Sequence, residues 1–322
     1  MQTIFVTGSA GFIGFHLCRQ LLEEGWRVVG LDNFNPYYDV ALKRARNAIL
    51  REHPLYTGVE GDLCDAALLD DIARKHQPSL VCHLAAQAGV RYSIENPMAY
   101  GRSNLEGFLN ILELCRQHQI PRLVYASSSS VYGGNTKVPF SESDPVDQPV
   151  SLYAATKKAN ELMAHTYTHL YGFQTIGLRF FTVYGPWGRP DMAYWLFTEA
   201  MLQGKPIRVF NHGDMLRDFT YIDDILQGVR AALTADTLDP ADVINLGNHQ
   251  CETLGHFIDV LGDALGVTPE KIMLPMQPGD VYQTYADIDR AQQKLGYTPK
   301  TPIETGLQHF VTWYRDQYPL PH

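Results

Sequence analysis

No stretch of this 322-residue chain approaches the ~18–20 successive apolar residues that cross a bilayer as a helix, so no membrane partner is expected. The opening residues, Met1 to Val6, show no basic segment leading into a long apolar one, and no secretory leader is expected either. Cysteine is scarce: Cys18, Cys64, Cys82, Cys115 and Cys251 are odd in number, scattered, and never spaced as Cys-x-x-Cys. That usage excludes a disulfide framework and a zinc knuckle and points to a reducing, cytoplasmic setting. Basic residues are outnumbered, with 26 Lys and Arg against 35 Asp and Glu. A surface that displaces counterions from nucleic acid is therefore not expected, and any anionic ligand has to be caught locally. The 12 histidines contain no His-Glu-x-x-His, and His165 with His169 reads as a surface or interface pair, so no metal is expected. Internal repeats are missing, and the only biased segment is Ser127-Ser128-Ser129-Ser130.

What is present is a rhythm. Short apolar runs at 4–6, 27–31, 80–84, 123–126 and 175–180 read as strands. Between them lie helix-length segments at 12–24, 104–118 and 153–171, closed respectively by Gly25, by Pro121 just beyond and by Gly172. Strands alternating with helices predict an α/β fold, a Rossmann doubly wound parallel sheet covered on both faces. After Phe181, the cluster Gly185, Pro186, Gly188 and Pro190 marks a loop and the passage to a smaller α/β substrate-binding domain. Its pieces lie at 192–203, 207–210, 222–234 and 253–265, while 243–246 is placed to return to the main sheet. The expected division is a dinucleotide-binding domain over 1–181, taking back 218–250, and a discontinuous second domain over 182–322.

Directly after the first strand stands Thr7-Gly8-Ser9-Ala10-Gly11-Phe12-Ile13-Gly14, opening the first helix. Glycines there let the backbone approach a pyrophosphate, and the helix N-terminus supplies unpaired N–H groups and about half a positive charge. The second strand ends in Asp32-Asn33, a carboxylate placed for ribose hydroxyls and hostile to a 2′-phosphate, which favours NAD over NADP. Asp62-Leu63 after a third strand would reach the adenine, and Leu84-Ala85-Ala86 after the fourth offers small residues where the cofactor crosses.

Tyr153-Ala154-Ala155-Thr156-Lys157 puts a phenol and an ammonium on one face of a helix. For a phenol to act as a base near neutrality its reference pKa of ~10 must fall by about 3 units, which Lys157 and an oxidised nicotinamide would both favour. One or two hydroxyls of the serine run, at the end of the fifth strand, are placed to hydrogen-bond an oxygen being oxidised.

Together these motifs resemble the extended short-chain dehydrogenase/reductases, and specifically the UDP-glucuronate 4-epimerases. The likeness continues through Asp32-Asn33-Phe34-Asn35, Tyr37-Tyr38-Asp39, the block from His83 through Gln87 to Arg91, Ser127 to Gly133, and Thr182-Val183-Tyr184-Gly185-Pro186. It extends to Gly188-Arg189-Pro190-Asp191-Met192, Phe210-Asn211-His212-Gly213 and the block from Arg217 to Asp224. The glycine, serine and tyrosine–lysine motifs identify the superfamily, whereas the blocks at 37–39 and 188–192 look particular to the glucuronate epimerases.

The resemblance implies that Tyr153 takes the proton of the C4 hydroxyl of a UDP-sugar while C4 gives its hydride to NAD. The resulting 4-keto sugar turns over in the site and is reduced on its other face. Ser128, with Ser130 as a second candidate, bonds the C4 oxygen. The resemblance adds Gln87, Asn104, Ser127, Phe180 and Val183 to the cofactor contacts, and Val209 and Tyr282 to the substrate contacts. A 4-keto uronate is a β-keto acid prone to lose carbon dioxide, so its carboxylate must be gripped; Arg189 and Thr182 are the implied candidates, with Arg217 and Arg91 toward the UDP phosphates. Related dehydratases and decarboxylases carry glutamate where Ser130 stands, which separates the chain from them. Gln277 stands where some relatives place a diphosphate-binding arginine. A homodimer joined through 104–118 and 153–171 is also implied. The rival readings are a 4-epimerase of neutral UDP-hexoses, a UDP-glucuronate decarboxylase and a non-catalytic NAD-binding scaffold.

Overall fold

The computed structural model of the protein describes residues 2–276 and 280–319. Strands β1 (Thr3–Thr7), β2 (Arg27–Asp32), β3 (Tyr56–Glu60), β4 (Leu80–His83), β5 (Arg122–Ser128) and β6 (Gln174–Phe180) join Ala241–Leu246 in one seven-stranded sheet. The order is β3-β2-β1-β4-β5-β6 followed by Ala241–Leu246, with every neighbouring pair parallel. A parallel sheet is buried on both faces, and its strands carry continuous apolar runs: Ile4, Phe5, Val6, Val28, Val29, Val81 and Cys82 are all shielded from solvent. The strand order reverses between β1 and β4, which opens a crevice at the carboxyl ends of the strands.

The helices α1 (Phe12–Glu23), α2 (Val40–Arg51) and α3 (Ala66–His76) follow the first three strands. On α3, Asp65 caps the first turn by accepting from the Leu68 N–H, and on Leu152–Tyr171 Ser151 does the same for Ala154 before Gly172 closes the helix in a left-handed conformation. All five strands expected in the first half are present within two residues at either end. The helix expected over 104–118 differs: Gly107–Gln117 is preceded by a wide π-turn over Gly101–Glu106. Asn104 holds that turn open by donating to the Gln87 carbonyl and the Thr156 hydroxyl, a tertiary contact that local periodicity does not encode.

Beyond Phe181 the chain makes two-stranded pairs, Thr182–Tyr184 with Phe219–Tyr221 and Ile207–Val209 with Lys271–Met273. Ala193–Leu202 and Ile303–Gln317 pack together through Tyr194, Trp195, Phe310 and Trp313, and Phe257 of Leu254–Leu265 stacks on Phe219 of the first pair. Ala241–Leu246 returns to pair with β6, and Ile222–Thr234 lies against α1. No helix among the described residues is long and apolar enough to cross a membrane.

Candidate active site

One cleft of about 1090 Å³ runs along the carboxyl ends of the strands and into the part beyond Phe181. That lies just above the ~300–1,000 Å³ of a typical ligand pocket. At one end the turn after β1 exposes Gly8, Gly11, Phe12, Ile13 and Gly14. Gly8 sits at φ +70°, and a Cβ there would lie 2.8 Å from the Ala85 nitrogen, so only glycine allows this approach. Gly11, at the start of α1, has no side chain to cap the helix, and no acidic residue stands in the first turn. The donors of that turn are left for an anion, which is what a dinucleotide diphosphate requires.

Asp32, at the end of β2, accepts from the Ala10 N–H at 3.1 Å and the Phe34 N–H at 2.9 Å, which fixes the carboxylate in the cleft wall. Asn33, Asp62 and Leu63 continue that wall, and Leu84, Ala85, Ala86 and Gln87 form its opposite side.

The centre of the cleft is Tyr153, Lys157, Ser127, Ser128 and Ser130, with Phe180, Thr182 and Val183 beside them. Ser151 starts the helix so that Tyr153 falls in its first turn and Lys157 one turn later. The Lys157 ammonium donates to the Ala126 carbonyl at 2.8 Å, and burial lowers its pKa to about 8. Burial raises the Tyr153 phenol above its ordinary value, while the Ser128 hydroxyl and the Arg189 guanidinium pull it back. Tyr100 packs edge-on against the Tyr153 ring, with centroids 6.1 Å apart. Ser128 and Ser130 share a hydroxyl–hydroxyl bond of 3.1 Å, and Ser127 donates to the buried Glu161, whose carboxylate is also gripped by Arg179.

Cationic groups line the rest of the cleft. Arg189 is paired with Asp191, Arg91 donates to Asp280 at 2.9 Å, and all four line the cleft. Among the described residues Arg217 is held by carbonyl groups, those of Leu216, Tyr282 and Val281, and burial lowers its pKa.

Three residues assigned by resemblance lie off the cleft wall. Asn104 spends its amide within the fold, accepting from the Gln87 N–H and donating to Gln87 and Thr156, so it supports the wall from behind. Val209 is a core side chain, 1% exposed. Tyr282 points outward, and its hydroxyl donates to Asp214 at 3.0 Å. Gln277 lies outside the described residues. Sequence reasoning gave no role to Asp191, Tyr100, Glu161 or Arg46. The spacing Arg189-x-Asp191 and the position of Glu161 one turn past Lys157 were the available signals. Among the described residues no group of three or more His, Cys, Asp or Glu is placed to hold a metal.

Residues 4–247 match the NAD dependent epimerase/dehydratase family. The chain is 52% identical to UDP-glucuronate 4-epimerase 4 of Arabidopsis thaliana over 334 residues, spanning 98% of this chain and 76% of that one. The structure superimposes on UDP-glucuronic acid 4-epimerase from Bacillus cereus, solved with UDP-glucuronic acid and NAD, with a TM-score of 0.92 at 33% identity, covering 98% of this chain and all of that one. UDP-glucose 4-epimerase from Thermotoga maritima, solved with UDP-glucose, gives 0.90 at 31% identity over 98% and 99% of the two chains.

Proposed function

The chain belongs to the NAD dependent epimerase/dehydratase family, and from that premise we propose that it interconverts UDP-glucuronate and UDP-galacturonate by inverting C4 through a 4-keto intermediate. The observation that carries this reading is a single cleft lined by the glycine turn and Asp32, by Tyr153, Lys157 and Ser128, and by Arg189 and Arg217. When bound, NAD supplies the acceptor for the C4 hydride, a positive charge while oxidised, and the same hydride on the return step, so no second substrate is consumed.

The protein's own residues do the rest. Gly8, Gly11 and the first turn of α1 receive the cofactor diphosphate, and Asp32 receives the adenosine ribose. Tyr153 takes the proton of the C4 hydroxyl and later gives it back; Ser128 holds that oxygen. Lys157, one helical turn from Tyr153, favours the phenolate. Arg189, with Thr182, holds the C6 carboxylate, which favours a uronate over a neutral hexose. Arg217 and Arg91 face the UDP phosphates. Ser130 leaves no carboxylate at the point where elimination would need one.

In this reading residues 1–181 with 218–250 hold the cofactor, and the rest of 182–322 holds the nucleotide sugar. We read the chain also as a cytoplasmic homodimer joined through 104–118 and 153–171. The exposure of Leu109, Leu162 and Leu170 on those two segments supports the dimer. Incubation with UDP-glucuronate and with UDP-glucose, followed by separation of the products, tests the reading. UDP-galacturonate is the expected product; conversion of UDP-glucose alone contradicts the substrate, and a UDP-pentose as main product contradicts the reaction.

A further inference from the structure

Two sequence blocks far apart in the chain meet in the cleft wall. Tyr37 follows β2 and Asp191 lies 154 residues later, yet the Tyr37 hydroxyl donates to Asp191 Oδ2 at 2.9 Å. The same carboxylate takes one edge of the Arg189 guanidinium, with Nε donating to Oδ1 at 3.0 Å and Nη2 to Oδ2. A guanidinium has two edges that can grip a carboxylate, Nε with Nη2 and Nη1 with Nη2. Asp191 occupies the first. Nη1 has no hydrogen-bond partner among the described residues, and the Arg189 and Asp191 side chains are each 25% exposed in the cleft wall. The second edge is the one left for a ligand.

The pair is braced from both sides. Tyr37 packs against Tyr92 with ring centroids 4.8 Å apart, and Gly89, at φ +100°, leaves space for the Tyr37 hydroxyl where a Cβ would collide. Arg46, fully buried, donates to the carbonyls of Gly188 at 2.8 Å and Ala10 at 3.0 Å, which ties the Arg189 loop to the glycine turn.

We infer that Asp191, fixed by Tyr37, is a positioning residue that presents the Nη1–Nη2 edge of Arg189 to the substrate's C6 carboxylate and so keeps the 4-keto intermediate from losing carbon dioxide. The inference rests on the reading of the protein as a UDP-glucuronate 4-epimerase. Loss of carbon dioxide requires the C5–C6 bond to align with the C4 carbonyl. That bond then breaks, its electron pair passes into an enolate on the C4 oxygen, carbon dioxide leaves, and C5 takes a proton from water. Two parallel N–H bonds from a fixed guanidinium hold the carboxylate away from that alignment; a guanidinium free to swivel does not. The carboxylate of Asp191 also cancels much of the charge on Arg189, so the pair orients the substrate more than it tightens binding.

The test compares wild type, Asp191→Asn and Tyr37→Phe on UDP-glucuronate. It reads kcat, KM, the ratio of decarboxylated UDP-4-keto-pentose, counted together with any UDP-pentose reduced from it, to UDP-galacturonate, and the calorimetric Kd of UDP-glucuronate. Asp191→Asn is expected to lower kcat about tenfold and raise the decarboxylated share about tenfold, while KM and Kd stay level or fall. Tyr37→Phe is expected to move kcat and the product ratio in the same direction by roughly two- to fivefold. An unchanged product ratio in both variants overturns the inference, as does a rise in KM with kcat and the ratio constant. If Asp191→Asn fails to fold, judged by thermal unfolding, Tyr37→Phe decides alone. Wild-type protein that makes no UDP-galacturonate overturns the functional reading and the inference together, whereas active wild type with unaltered variants overturns the inference only.

Discussion

Thr7 Oγ1 and His83 Nδ1 lie 2.8 Å apart at the carboxyl ends of the neighbouring strands β1 and β4, where the strand order reverses. The Thr7 hydroxyl also accepts from the Ala85 N–H at 3.3 Å, so one side chain aligns the glycine turn with the opposite wall of the cofactor cleft. Burial, joined by the nearby Lys157 charge, lowers the His83 pKa from 6.5 to about 3.

A neutral imidazole held in this way makes stability depend on acid. Between pH 6.5 and about 3 the unfolded chain binds a proton at His83 that the folded chain refuses. The contribution is complete above pH 6.5 and is lost as pH falls. At pH 5 the loss is roughly 2 kcal/mol for this group. Urea unfolding at pH 7.5 and pH 5 is expected to show a gap between the two pH values that is smaller by about that amount in His83→Gln than in wild type. An equal gap in both proteins would rule out this role for the ring.

Tyr153→Phe removes the proposed base and leaves the ring in place. The expected loss in kcat is about 10²–10⁴-fold, with NAD still bound. Turnover with UDP-glucuronate and the NAD content of the purified variant check this; unchanged turnover assigns the base elsewhere.

Glu161 and Arg179, each 3% exposed by side chain, form a bidentate pair beneath Ser127. Burial pushes the Glu161 carboxyl up, but Arg179 and Ser127 outweigh it and hold the group below its ordinary 4.5. Glu161→Gln leaves a buried cation without its counter-charge and is expected to cost about 3–5 kcal/mol at pH 7.5. Because the pKa is depressed, the stabilisation is present above pH 4.5 and fades as pH falls through the folded value, so the penalty shrinks in acid. Chemical denaturation across pH reads it; a penalty that stays constant with pH would show that the charge is not its source.

Asp32 holds two backbone N–H groups and faces the cleft. Asp32→Asn keeps the shape and removes the charge, and is expected to weaken NAD binding about tenfold or more while narrowing the preference for NAD over NADP. Titration of both cofactors checks it, and an NAD affinity equal to wild type would place the ribose contact elsewhere.

The fold was legible because each of its signals is local. Apolar runs gave the strands, glycine and proline gave the helix ends, and the glycine turn after β1 gave the crevice. The site was legible where one element carries it, as with Tyr153 and Lys157 on one helix. It was not legible where distant segments meet. The bond from Tyr37 to Asp191, the grip of Arg46 on the Gly188 and Ala10 carbonyls, and the π-turn held by Asn104 all arise from tertiary packing that no window of sequence contains. Val209 and Tyr282 were carried over by motif position alone, and the structure puts one in the core and the other facing outward.

The most direct test follows the hydrogen on C4. UDP-glucuronate bearing deuterium at C4, incubated with the purified protein in ordinary water, is expected to give UDP-galacturonate that keeps the deuterium at C4. Loss of that label to solvent, or uptake of solvent hydrogen at C5 with C4 untouched, would contradict the account.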